Sequence, residues 1–149
     1  MTGSSDSAVV RALSPAITIF SVPFRRLGLV EFGGRSTCIK LASGELWLGA
    51  STPLDEPTKA GIAQLGGNVK YIVAYDIEHT MFLVDYATAY PTALVIGPKG
   101  LADKFKDEKR LKVAGEYTTN GLAGPNERFG FEDEIESCFF EAHMNKVHS

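Results

Sequence analysis

Cysteine is scarce in this chain. Cys38 and Cys138 stand far apart and form no CxxC or Cys/His cluster, so neither a disulfide framework nor a cysteine-rich metal site is indicated. Both are expected to be reduced, small buried hydrophobes. Long apolar runs are also missing. No uncharged stretch approaches the roughly 18 residues of a membrane-spanning helix, because Pro15, Pro23, Arg25 and Arg26 interrupt the most apolar N-terminal region. The opening MTGSSDSAVV lacks the basic start and apolar run of a secretory signal, which makes a cytoplasmic location the expectation and a membrane partner an unexpected one. There is no excess of positive charge: the net charge is -3, and nucleic acid, which is held by clustered Lys and Arg, is not an expected partner. The glycine pairs Gly33-Gly34 and Gly66-Gly67 belong to no phosphate-cradling loop, and no serine lies in a GxSxG elbow.

What remains is ordinary globular material. The 149 residues are 44% hydrophobic and 22% charged, enough to bury one domain's core. Residues 16–24 (AITIFSVPF) are rich in β-branched and aromatic side chains and predict a strand. Residues 36–41 and 45–50 predict two more, joined by a short turn as a hairpin. Residues 53–65 predict a helix with apolar positions Ala60, Ile62, Ala63 and Leu65, stopped by Gly66 and Gly67. From there the pattern becomes β-α-β: a strand at 71–74, a helix near 77–90, and a strand at 93–96. Phe82, Tyr86 and Tyr90, four apart, give that helix an aromatic face suited to packing on a sheet. A short charged helix is predicted over 101–109. A long loop follows over 113–128, and then a polar turn leads to a late strand around Cys138, Phe139 and Phe140.

The stretch most suggestive of chemistry is YIVAYDIEH, residues 71–79, where an apolar strand runs into Asp76, Glu78 and His79. A carboxylate at the strand tip and an imidazole three positions on can project into one mouth. Both suit zinc, iron or manganese, and Glu78 suits a ligand or the base for a bound water. The same residues have a purely structural use. Asp76 is a good helix N-cap, and Glu78 in the first turn would favour the positive end of the helix dipole. Trp47 reads as core packing or as a wall of the same mouth. His148, in the terminal tail, reads as exposed.

The phrases GGNVKYIVAYDIEHTMFL, YPTALVIGPKGL and the late EAHMNK together resemble a domain family of unknown function within the metallo-β-lactamase-like fold superfamily, over about residues 16–146. The resemblance implies an α/β fold, a mixed sheet with flanking helices. It corresponds to mainly the N-terminal half of an αββα sandwich, truncated before the second half is complete. It implies a disordered tail over 1–15, an incomplete domain over 16–146 and a C-terminal tail over 147–149. On the superfamily's HxHxDH motif, AYDIEH places Ala74 at the first histidine, Asp76 at the second, Glu78 at the aspartate and His79 at the last. His143 falls where the next histidine ligand would be, and the later ligands have no counterpart. The resemblance thus implies Asp76 and His143 at one metal and Glu78 and His79 at the other, or a single mixed site of Asp76, His79 and His143 with Glu78 as catalytic base.

Two functions follow as expectations. One is a noncatalytic or degenerate protein that keeps the fold. The other is a metal-dependent hydrolase acting on a small organic ester, lactone or thioester, its site completed by a partner or oligomer. A sheet normally covered on both faces would retain apolar surface, so self-association as a homo-oligomer, or else marginal stability, is the expectation.

Overall fold

The two patterns merge into a single sheet. The computed structural model describes residues 7–22, 34–118, 121–122 and 129–136. Within them the strands lie side by side in chain order: β1 (Val9–Ser14), β2 (Ile17–Val22), β3 (Gly34–Lys40), β4 (Leu46–Gly49), β5 (Val69–Val73), β6 (Leu94–Pro98), β7 (Val113–Thr118) and β8 (Gly121–Leu122). β1 to β4 are antiparallel, β4 to β7 are parallel, and β8 returns antiparallel. Each parallel step carries one helix: α1 (Glu56–Gln64), α2 (Leu83–Ala89) and α3 (Leu101–Lys104).

Because the strand order advances in one direction, right-handed crossovers put every helix on the same face. Ile62, Leu83, Tyr86 and Leu101 accordingly join one core with Phe20, Leu46, Leu48, Ile72 and Val95. The strand period of two sends the alternate residues to the other face. There Trp47 pairs in register with Ile39 and with Tyr71, and Tyr71 with Leu94; Ile96, Tyr117 and Phe131 complete a second core. A mixed sheet with helices on one side is the architecture that the resemblance implies.

Local chemistry explains the boundaries of α1. Asp55 is its N-cap, its Oδ1 accepting from the Thr58 amide at 3.0 Å, and Pro57 sits in the first turn, where a missing N–H costs nothing. At the other end Gly66 and Gly67, at φ of 116° and 73°, return their amides to Ala63 and Ile62. Left-handed backbone of this kind favours glycine. The buried positions are Thr58, Gly61 and Ile62, with Leu65 just beyond, whereas Ala60 and Ala63 face solvent.

Four expectations are corrected. Residues 9–14, assigned to a disordered tail, form β1, tied to β2 along its length and anchored at its start where the Ala8 amide donates to Asp55 Oδ2 at 2.8 Å. The helix predicted near 77–90 begins only at Leu83, because side chains claim the preceding backbone: Thr80 Oγ1 donates to the Ile77 carbonyl at 3.2 Å and Asp76 takes the His79 amide. The long loop contains β7 and β8. Gly115 breaks the local strand signal, yet its missing side chain is what admits the Phe129 ring, which lies 2.3 Å from where a Cβ would stand. The helix at 101–109 is shorter than predicted, ending at Lys104. The late strand around Cys138 to Phe140 lies outside the described residues; 132–134 form the polar turn before it.

Among the described residues the exposed large apolar side chains are Val9, Val10, Leu13, Tyr75 and Met81, on β1 and the 75–81 connection. No helix of the described residues is long and apolar enough to cross a membrane.

Candidate functional site

Parallel strands present their C-terminal ends along one edge, where connections carry side chains away from the buried sheet. β5 is buried through Val73, and Ala74 is held by donating its amide to the Ile96 carbonyl at 2.8 Å. The chain then leaves the sheet at Tyr75. Its ring crosses Gly49 so closely that a Cβ there would stand 1.8 Å from the hydroxyl, and its centroid lies 6.4 Å from that of Trp47. The Tyr75 residue is half exposed, but its hydroxyl end lies against Gly49, and burial there raises its pKa above the ordinary phenol value, against an opposing pull from Thr37. Nothing in the order of residues marked Tyr75 as part of this mouth; its position depends on Gly49, brought alongside by β4–β5 pairing.

Asp76 and His79 are brought together. The His79 amide donates to Asp76 Oδ1 at 2.6 Å, and His79 Nδ1 lies 2.7 Å from Asp76 Oδ2. Partial burial works against the Asp76 carboxylate, but the His79 amide, the His79 ring and the Glu78 amide together outweigh it and hold its pKa below the ordinary value. The carboxylate therefore closes a turn, while the first residues of α2 lie further on with Phe82 at the N-cap. This corrects the helix-cap alternative to a turn-cap one. Glu78 is exposed. It contributes its backbone amide to this turn. The loop is also pinned from α3, where Lys104 Nζ donates to the Ile77 carbonyl, and α3 is in turn held by Glu116, whose carboxylate accepts from the Gly100 amide at 3.1 Å and the Ala102 amide at 2.9 Å.

His143 lies outside the described residues, as do His148 and Cys138. Among the described residues no group of three His, Cys, Asp or Glu side chains is placed to hold a metal ion. A structural zinc takes four protein ligands and a catalytic one usually three. Of the described candidates, Asp76 and His79 are bonded to each other and Glu78 is exposed, and they do not by themselves form a site that fits zinc, iron or manganese. Cys38 is a buried free thiol, its pKa pushed up to about 12 by burial, as expected of a small core hydrophobe.

The sequence matches no protein-family model and no curated protein. The fold does match solved structures. The metallo-β-lactamase FIM-1 from Pseudomonas aeruginosa in its mono-zinc form is 10% identical, with a TM-score of 0.51 over 76% of this chain and 51% of that one. A metallo-β-lactamase from Pontibacter korlensis is 12% identical, with a TM-score of 0.53 over 75% and 53%. DIM-1 metallo-β-lactamase exposed to ceftazidime is 12% identical, with a TM-score of 0.52 over 80% and 58%. At such identities the likeness shows the fold alone: this chain has a metallo-β-lactamase-like fold and spans about half the length of the solved structures it matches.

Proposed function

We propose that this chain is a noncatalytic metallo-β-lactamase-like protein of the cytoplasm, a module that keeps the fold and uses the motif residues to shape the connection after β5. The observation that carries the reading is the engagement of Asp76, whose two carboxylate oxygens are given to the amide and the ring of the same residue, His79. A carboxylate used in this way fixes a turn. The test is metal analysis of protein purified without added metal, alongside hydrolysis assays on a small ester, a lactone and a thioester. The expected result is substoichiometric metal and no turnover.

A second reading is favoured by the identity of the bonded ring atom. With Nδ1 on a carboxylate, a metal would be taken by Nε2, and carboxylates commonly orient metal-binding histidines in this way. On that reading Asp76, His79 and His143 serve a metal-dependent hydrolase of a small ester, lactone or thioester, with Glu78 as base and an oligomeric partner completing the site. Stoichiometric metal in the parent that is lost in the His79→Ala, His143→Ala double variant would replace the first reading with this one.

A further inference from the structure

The second face of the sheet is covered in part by residues 129–136, and the way they are attached has a consequence. Phe131 is fully buried. Its ring meets Tyr71 edge-on at 4.8 Å between centroids and Trp47 at 6.4 Å, and it stacks on Phe129 at 6.4 Å. These contacts form an aromatic socket on β4 and β5 filled from above. The polar ties lie around the ring. The Ala42 amide donates to Glu134 Oε1 at 2.8 Å, the Tyr71 hydroxyl donates to the Phe129 carbonyl, and Glu132 folds back onto the Phe129 and Gly130 amides. The Ala42–Glu134 bond is exposed to water, which weakens it. Beneath the segment the Trp47 Nε1 donor is buried without an acceptor among the described residues.

We infer that residues 129–136 are a displaceable strap: a self-supplied peptide whose Phe131 plugs the Trp47–Tyr71 socket and whose Glu134 latches onto the Ala42 amide. A peptide with the same pattern, an aromatic anchor followed three positions later by a carboxylate, is the class of partner the socket takes when the strap is released. The strap does not depend on the Asp76–His79 pair, so this inference stands apart from the function proposed above.

Trp47 is the sole tryptophan and reports directly on the socket. In the full chain, Glu134→Ala removes the latch and Phe131→Ala removes the plug. Acrylamide quenching of Trp47 is expected to rise in both, more strongly in Phe131→Ala, with the far-UV circular dichroism of the parent retained. A synthetic peptide of sequence FGFEDEIE added to Phe131→Ala is expected to restore the shielding, and the same peptide with alanine in place of its second phenylalanine is not. Quenching equal to the parent in both variants would overturn the inference. So would failure of the intact peptide to restore shielding, or loss of the parent circular dichroism in both variants, which would make the segment an inseparable part of the folding unit.

Discussion

Asp76 is a case of one side chain doing local work. Its folded pKa is depressed below the ordinary 3.8, so its contribution to the turn is fully present above the ordinary carboxylate range and is lost as the pH falls through the lower folded value. Protection of the His79 amide against hydrogen exchange, measured relative to its intrinsic rate, should therefore fall in strong acid. Asp76→Ala should show the lower protection at all pH values, at a stability cost of about 1 kcal/mol, the usual worth of a capping carboxylate. Chemical denaturation checks the cost. Gly49 is the other single position on which the site depends. Gly49→Ala must expel the Tyr75 ring, because the new methyl would stand 1.8 Å from its hydroxyl. Overpacking of this kind costs about 1–3 kcal/mol, and release of the Tyr75 hydroxyl into water, which removes the burial that raises its pKa, should appear as a phenol titration nearer the ordinary value.

The elements show why local patterns succeeded in some places and failed in others. β3, β4 and α1 were legible because hairpin turn, cap and glycine stop each lie within a few residues of what they shape. Asp55 exceeds that local role by also accepting the Ala8 amide, so it joins α1 to β1. Asp55→Ala should cost about 1–2 kcal/mol as a lost cap and release β1 as well, seen as raised hydrogen exchange at Val10 and Arg11; Asp55→Asn, with one acceptor oxygen in place of two, should keep the cap and lose the tie to the Ala8 amide. β7 was illegible because Gly115 reads as a strand breaker in the local sequence, and only the tertiary structure sets the Phe129 ring against it, fourteen residues later in the chain. The start of α2 was misread because the aromatic spacing of Phe82, Tyr86 and Tyr90 is truly helical, while Asp76 and Thr80 divert the residues before it. Within α2 the fully buried Tyr86 brings its hydroxyl near Ser36 and Thr52 without reaching hydrogen-bond geometry, so Tyr86→Phe should be tolerated with little change in thermal midpoint.

For the whole molecule, the prominent exposed feature is the outer edge of β1, with Val9 at 55% and Leu13 at 59% exposure and no described strand beyond it. An edge that is apolar and unpaired is a template for another strand. Association that grows with protein concentration is expected, and Leu13→Lys should suppress it in sedimentation velocity runs without lowering the unfolding midpoint; persistence of the same oligomer in that variant would place the contact elsewhere. The residue order alone carried the β-α-β organisation, the buried Cys38 and the closeness of Asp76 to His79, since each depends on periodicity or on neighbours in the chain. It could not say that the pair would spend its hydrogen bonds on each other, that Tyr75 would lie over Gly49, or that Phe131 would reach the Trp47–Tyr71 face. Those depend on register and on contacts between residues far apart in the chain, where sheet pairing and close packing choose which side chains meet.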